Sequence, residues 1–215
     1  DKNLRYVNGK DLWTHDFMDK IASSADWSCL GYNTHIHWNP ETIERYHSYL
    51  NKTEECRGGF ASSAWTGISS NSNVPWSIDL IERYRTKALY RPRGLHWKEL
   101  SKNTSLPWND QPLLERYDKL LDWKYIGLNS GVHLTEEQFE RYQDRFPWWA
   151  GSFSIESIAA NPSLPWSADL IRRYRDKWQW WFLSRNEGIA WDEALIHEFK
   201  DQIRFEQLTL NPSAP

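Results

Sequence analysis

The stretch of residues 85–96 carries a cluster of basic side chains at one of the points where the sequence departs from its repeat. It holds no acidic residue, has Tyr90 in its middle, and contains four bases: Arg85, Lys87, Arg91 and Arg93. Guanidinium and ammonium groups bind phosphate and carboxylate oxygens, and they also stack on aromatic rings. The stretch therefore predicts a loop that binds nucleic acid, another phosphate group or an acidic protein surface. A solvated loop without a ligand is the alternative interpretation.

A second candidate site is the tryptophan pair Trp148 and Trp149, within Phe-Pro-Trp-Trp-Ala-Gly-Ser-Phe at residues 146–153. Tryptophan is enriched among the residues that dominate protein–protein binding energy. The pair therefore predicts a binding surface, and additional core for a longer repeat is the alternative. Trp178 and Trp181 also fall outside the regular tryptophan pattern described below.

Enzyme chemistry has little support in the sequence. His35 and His37 could hold a metal ion, but no Cys or carboxylate set at a known spacing accompanies them. The sequence contains no glycine-rich phosphate loop, no Gly-x-Ser-x-Gly and no His-Glu-x-x-His. We therefore predict a chain that is not an enzyme and uses no metal or other cofactor.

The elements that would position these candidates belong to a repeat. The motif aromatic-x-x-[Leu/Ile]-x-x-Asn-x-x-x-x-Trp recurs seven times, and its closing positions are Trp13, Trp38, Trp76, Trp108, Leu134, Trp166 and Trp191. Five residues before each closing position is an asparagine, and one more begins an eighth repeat: Asn8, Asn33, Asn71, Asn103, Asn129, Asn161, Asn186 and Asn211. We call these the ladder asparagines. A fixed spacing of this kind indicates modules that pack on their neighbours.

Each repeat is predicted to contain two helices. Aromatic, aliphatic and Asn residues at i, i+3 and i+6 line one side of a short helix, and the Asn is expected to end it in the left-handed conformation. A longer helix of about three turns should begin after the closing Trp, where Thr, Asn, Ser or Asp provides an N-cap. Insertions between the two helices are predicted at 47–64, 85–96, near 121 and at 143–154. The repeated Trp residues are interpreted as core.

Cations recur at one position of the long helices: Lys20, Arg45, Arg83, Arg116, Arg141 and Arg173. Such a row could bind phosphates or acidic partners. However, an acidic residue lies four residues before five of the six, in the order that favours i,i+4 ion pairs. Pairing within each helix is therefore the preferred interpretation.

Composition limits the remaining possibilities. The formal net charge is −3, which argues against generic binding to nucleic acid or anionic membranes. Only two cysteines occur, Cys29 and Cys56, so a reducing compartment such as the cytoplasm is expected. No run of apolar residues is long enough to predict a membrane span.

We predict an all-α fold, a helical-repeat solenoid of about seven two-helix repeats of 25 to 38 residues, as measured from Trp13 to Trp38 and from Trp38 to Trp76. Residues 1–215 should form one continuous repeat domain. Because the final residues match the start of a repeat, a fragment of a longer repeat protein is expected.

The stretches Leu100 to Trp108 and Ile158 to Trp166 resemble a Trp-rich tandem repeat of uncharacterised bacterial and large-DNA-virus proteins. The resemblance covers nearly the whole chain. It implies the repeat architecture and no particular activity. The fifth repeat departs most from the pattern, with Leu134 and Ile155 in place of both Trp residues.

The sequence therefore favours a non-enzymatic scaffold whose partner is another protein, contacted through the insertions and the additional Trp residues. One alternative is nucleic-acid binding through the loop at 85–96. Another is that the repeats belong to a larger protein whose activity lies elsewhere.

Overall fold

A computed structural model describes residues 6–7, 10–51, 63–85, 94–109, 112–148 and 157–215. The described residues form thirteen α-helices and two 3-10 helices, and the only strands among them are the antiparallel pair β1 (Tyr6–Val7) and β2 (Lys10–Asp11). The predicted all-α class is confirmed.

Contacts divide the chain into two compact units, residues 1–107 and 108–215. The first unit contains α1 (His15–Ile21), α2 (Trp27–Leu30), α3 (Pro40–Leu50), α4 (Ala64–Ser70), α5 (Ile78–Tyr84) and α6 (Trp97–Lys102). The second contains α7 (Pro112–Arg116), α8 (Trp123–Leu128), α9 (Glu136–Tyr142), the 3-10 helices Gln143–Arg145 and Ile158–Ala160, α10 (Ala168–Arg173), α11 (Trp180–Ser184), α12 (Glu193–Glu198) and α13 (Phe205–Leu208). The prediction of a single continuous domain remains a prediction.

Two classes of helix alternate along the chain. Those at the first aromatic residue of a repeat are called the short helices and those after a closing position the long helices, although α4 and α5 both have seven residues. The short helices α2, α4 and α6 pack in sequence in the first unit, and α8, the 3-10 helix Ile158–Ala160, α11 and α13 do so in the second. Six long helices begin with a side-chain cap, as predicted: Thr14, Asn39, Ser77, Thr135, Ser167 and Asp192. The predicted length of about three turns holds for α3, with 11 residues, and is wrong for the other long helices, which have five to seven.

The ladder asparagines join successive short helices. The Asn161 Nδ2 donates to the Gly127 carbonyl at 2.8 Å and to the Asn129 carbonyl at 3.4 Å. The same pair of bonds, to the preceding ladder asparagine and to the residue two positions before it, recurs at Asn71, Asn103, Asn186 and Asn211. Buried backbone carbonyls are costly to leave without a donor, so these bonds fix the spacing between repeats.

The predicted left-handed conformation of the ladder asparagines is wrong. Asn71, Asn103, Asn129 and Asn161 follow their helices with φ between −81° and −75° and ψ between 110° and 118°, which is extended backbone. The Oδ1 of each accepts a hydrogen bond from the backbone N–H two residues on, which is an Asx turn. The repeat thus uses both the Oδ1 and the Nδ2 of the carboxamide. It does not use the ability of Asn to adopt the left-handed conformation.

The first aromatic residue of each repeat packs on the next long helix. Trp27 lies 5.0 Å from the Tyr46 ring, Trp65 lies 5.3 Å from Tyr84, and the Trp123 ring stacks on Tyr142 at 3.9 Å. Because large aromatic rings bury much apolar surface, these contacts supply the core that a 40% hydrophobic composition would otherwise leave thin.

The closing tryptophans pack at the turns that follow the ladder asparagines, and two of them form hydrogen bonds there. Trp76 and Trp166 donate their Nε1–H to the carbonyls of their own ladder asparagines, Asn71 and Asn161, at 3.2 and 2.9 Å. Trp38, Trp108 and Trp191 are buried at the equivalent positions. Trp13 and Trp166 are only partly buried, so full burial is not shared by every closing Trp.

Candidate functional site

The row of cations along the long helices is engaged by acids of the preceding repeat. The Arg45 guanidinium binds both carboxylate oxygens of Asp19, whose Oδ1 also accepts a hydrogen bond from the Tyr46 hydroxyl at 2.8 Å. The Tyr84 hydroxyl donates to Glu44, and Arg83 forms an ion pair with the same carboxylate. Arg173 and Tyr174 both donate to the carboxylate of Glu140. We call this acid–Arg–Tyr arrangement the clamp.

The predicted pairing within each helix is therefore only partly right. The i,i+4 pairs exist between Lys20 and Asp16 and between Arg141 and Glu137, but Arg141 also binds Glu115 of the preceding long helix. Three or four residues separate intrahelical neighbours on one face, whereas a long Arg side chain also reaches a neighbouring helix. Contacts between repeats are thus made by Arg45, Arg83, Arg141 and Arg173, whereas Lys20 pairs within its own helix.

One clamp has its charges exchanged. In the last pair of long helices Arg172 stands in the acid position and Glu198 in the Arg position, and the two are joined by two hydrogen bonds of 2.7 Å. Phe199 replaces the tyrosine, whose hydroxyl would have no carboxylate to donate to. The exchange keeps opposite charges facing each other, so the clamp depends on complementarity and not on a fixed residue type.

The clamp hydroxyls should make the fold sensitive to alkali. Burial, together with a hydrogen bond to an acid, raises the pKa of Tyr46, Tyr84 and Tyr174 to about 12. Since an unfolded tyrosine titrates near about 10, the stabilisation is fully present below that pH and is lost as the pH rises through about 12. We expect the urea midpoint to fall over this range, and to fall less in the triple Tyr→Phe variant. An equal fall in both proteins would contradict this prediction.

Of the predicted basic loop, the structure describes Arg85 and residues 94–96. Arg85 forms an ion pair of 2.7 Å with Glu82, and Leu95 donates its backbone N–H to the Tyr84 carbonyl. Arg85 and Leu95 therefore lie side by side. Lys87, Tyr90, Arg91 and Arg93 lie outside the described residues, so their predicted binding function remains a prediction.

Trp148 is placed within the repeat. Its Nε1–H donates to the Gln143 carbonyl, five residues earlier, as Trp123 and Trp180 do in their own repeats. Its ring lies 4.7 Å from Trp178 and 5.1 Å from Tyr174. Trp148 therefore takes the aromatic position that the sequence reading assigned to Ile155.

The insertion predicted at 143–154 consequently begins later than predicted. Residue 157 follows Trp148 in space, since the Ser157 Oγ–H donates to the Trp148 carbonyl and the Ile158 N–H to the Pro147 carbonyl. The predicted range 143–154 was wrong, because residues 143–148 belong to the repeat itself. Trp149 and Ile155 lie outside the described residues.

Trp178 and Trp181, the other two tryptophans outside the pattern, have opposite environments. Trp178 is buried two residues before the aromatic position, where Leu95, Leu121, Phe146 and Ile203 are buried in other repeats. Trp181 is 54% exposed. Its counterparts five residues before the ladder asparagine are polar: Ser28, Thr66, Lys98, Lys124 and Glu206. Trp181 is thus not required by the repeat.

Trp181 lines a groove of about 590 Å³ in the second unit. Phe182 of the same helix, together with Ala160 and Pro162 of the preceding turn, completes its apolar lining. Arg185 and Glu187, both exposed, add one positive and one negative charge on either side of the buried Asn186. Apolar grooves with a few charged groups are the usual form of binding sites, so this is the candidate functional site.

Sequence reasoning singled out Trp181 but missed Phe182, Arg185 and Glu187. Comparison of each position across all repeats could have found the groove, because an aromatic residue in an otherwise polar column marks a departure from the repeat. A smaller cavity of about 160 Å³ lies between Trp166, Ile171 and Leu195.

The described residues contain no group of three or more His, Cys, Asp or Glu side chains arranged to hold a metal ion. Among the helices of the same residues, none is both long enough and apolar enough to cross a bilayer.

Comparisons of the chain with known proteins were negative: no family model, no curated protein and no solved structure matches it.

Proposed function

We propose that this protein is a non-enzymatic helical-repeat scaffold that binds another protein through the Trp181 groove. The observation that carries the proposal is the exposure of Trp181 at a position where the other described repeats have polar residues. Tryptophan contributes strongly to binding energy where it becomes buried in an interface.

The repeat architecture supports the scaffold part of the proposal. Within each unit, successive helix pairs are bonded to one another through ladder asparagines, an arrangement typical of repeat proteins that offer an extended binding surface. The repeated residues are used by the fold: the ladder asparagines bridge repeats, and the closing tryptophans are largely buried. What lies outside that framework is the groove.

Protein is a better partner for this groove than nucleic acid. The clamp neutralises Arg45, Arg83 and Arg173 with carboxylates, so these cations are not available as a row facing phosphates. The groove itself pairs one cation, Arg185, with one anion, Glu187, and phosphate would be repelled by the latter.

The test is affinity capture from a nuclease-treated lysate of the source organism. The intact chain should retain specific proteins, and Trp181→Ala should reduce their recovery at least about tenfold, because a buried Trp at an interface contributes about 2 kcal/mol or more. Arg185→Ala should reduce recovery less.

Leu120→Ala is the matched control, since Leu120 is an exposed apolar residue of the same unit that does not line the groove. The Leu120→Ala variant should recover as much of the captured proteins as the intact chain does. Capture of the same proteins by the Trp181→Ala variant would reject the groove, and recovery of nucleic acid in place of protein, in a parallel capture without nuclease, would reject the proposed partner class.

A further inference from the structure

The Trp181 groove lies between two repeats that already have their neighbours. The helix α11, which carries Trp181, is packed on one side by the 3-10 helix Ile158–Ala160 and on the other by α13. Trp181 is nevertheless 54% exposed. Because successive short helices pack in order, a further repeat would pack on α13 and not on α11. The groove is thus an open surface along the side of the repeats.

The groove contains two opposite charges that the described part of the chain leaves unpaired. Among those residues, Arg185 and Glu187 form an ion pair neither with each other nor with another side chain. The clamp arginines, by contrast, are each bound to a carboxylate. Charged groups placed in this way select a partner of complementary charge.

The repeat itself does not require the negative charge of the groove. Glu187 follows its ladder asparagine directly, and the five preceding repeats have uncharged residues at this position: Thr34, Ser72, Thr104, Ser130 and Pro162. Like Trp181, Glu187 is therefore a departure from the repeat. Two departures on one groove indicate a ligand that meets both an aromatic ring and a carboxylate.

The groove is narrow, because the two turns that border it are held close together. The Asn186 Nδ2 donates to the carbonyls of Ala159 and Asn161 at 2.7 and 3.1 Å. A Cβ added to Gly188 would lie 2.1 Å from the Pro162 carbonyl oxygen. An α-helix with its side chains is about 10–12 Å across, so it would rest on the rim of the groove. A single extended chain is the form of ligand that suits it.

The spacing of the exposed groups matches alternate residues of an extended peptide. Trp181 and Arg185 lie four residues apart along α11 and its C-cap, so their Cβ atoms are about 5–6 Å apart on one face. Arg185 and Glu187 are two residues apart, so their Cα atoms are at most about 7 Å apart. Alternate side chains of an extended peptide point to one side and are also about 7 Å apart.

The Trp181 indole adds a hydrogen-bond donor that the described residues do not use. Trp123, Trp148 and Trp180 each donate their Nε1–H to the carbonyl five residues earlier. The Trp181 Nε1–H has no acceptor among the residues that the structure describes. An indole of an exposed ring can donate to a backbone carbonyl of a peptide that lies across it.

We propose that the Trp181 groove binds an extended segment of a partner protein with the pattern apolar-x-acid-x-base. The apolar side chain packs on Trp181, the acid contacts Arg185, and the base contacts Glu187. Recognition of alternate side chains is the usual source of specificity for extended peptides. This inference rests on the proposed function, because it names the kind of segment that the same groove takes.

The test begins with a phage library of random dodecapeptides. The full chain is the bait, and phage that also bind the Trp181→Ala chain are removed. The peptides that remain should carry an apolar residue, an acid and a base at alternate positions, in either chain direction. The absence of peptides that depend on Trp181, or peptides without this pattern, would overturn the inference.

A charge exchange then tests the contacts with Arg185 and Glu187. A selected peptide is synthesised with a fluorescent label, and its affinity for the full chain is measured by anisotropy. Exchanging its acid and base should weaken binding at least about tenfold, because two attractive contacts become repulsive. The chain with Arg185→Glu and Glu187→Arg, whose net charge is unchanged, should instead prefer the exchanged peptide. Equal affinity of both chains for the original peptide would contradict the proposal.

Two controls separate this inference from the proposed function and from nucleic-acid binding. Leu120→Ala lies outside the groove and should leave peptide affinity unchanged. If lysate proteins depend on Trp181 but the selected peptides lack the pattern, the inference fails and the proposed function stands; if neither depends on Trp181, both fail. A labelled oligothymidine that binds more tightly than the peptide, and loses affinity for the Trp181→Ala chain, would assign the groove to nucleic acid and overturn both.

Discussion

Asn161→Ala is expected to lower the free energy of unfolding by about 3 kcal/mol, because it removes three hydrogen bonds at a buried repeat boundary. The Asn161 Nδ2 donates to the carbonyls of Gly127 and Asn129, and its Oδ1 accepts the Ser163 N–H at 2.9 Å. The side chain is 3% exposed, so water does not replace these partners freely. Urea titration followed by tryptophan fluorescence measures the effect.

Two variants of the same boundary separate the contributions. Ser163→Ala removes an exposed bond from the Ser163 Oγ to the Ser130 carbonyl, and should cost less than about 1 kcal/mol. Asn161→Asp keeps the Asx-turn acceptor but places a carboxylate against two carbonyl oxygens, so it should destabilise at least as much as Asn161→Ala. If Asn161→Asp lowered the free energy of unfolding only slightly, the Asx turn, and not the bonds between repeats, would be the reason for Asn at this position.

The repeat period, the all-α class and the helix caps could be read from the sequence, because they depend on local residue preferences. Thr14 or Ser77 can cap a helix wherever it stands, and a closing Trp beside aliphatic residues indicates core. The bridging bonds of Asn161 could not be read in this way. They join residues more than thirty positions apart, and a preference for turns predicts the same residue type.

The clamp illustrates the same limit. Arg45 has an acid four residues earlier in its own helix and another 26 residues earlier in the preceding one, and only the packing of the two helices selects Asp19. The exchange of Arg172 with Glu198 can be seen by aligning the repeats of the sequence with one another. It becomes interpretable once the long helices are known to face each other. The Trp181 groove likewise needed the preceding turn, because Pro162 is distant in sequence from Phe182.

Gly31→Ala is expected to destabilise the first unit by about 3 kcal/mol, at the upper end of the cost of overpacking. An added Cβ at Gly31 would lie 2.2 Å from the Ala64 carbonyl oxygen, so the backbones of α2 and α4 would have to separate. That movement would also lengthen the bond from Asn71 to the Gly31 carbonyl, which measures 3.2 Å. The ladder thus requires close backbone approach at this point.

Gly127→Ala is the matched control, since Gly127 also stands two residues before a ladder asparagine. Its added Cβ would meet only side-chain atoms, Phe146 Cδ1 at 3.0 Å and Pro147 Cδ at 3.2 Å, which can shift by small amounts. The gain in helix propensity, about 1 kcal/mol, offsets that strain, so the net change should stay within about 1 kcal/mol of zero. Ala159 and Ser184, both fully buried, show that this position accepts a side chain in other repeats. Equal costs for the two substitutions would mean that the position itself, and not the contact with Ala64, requires glycine.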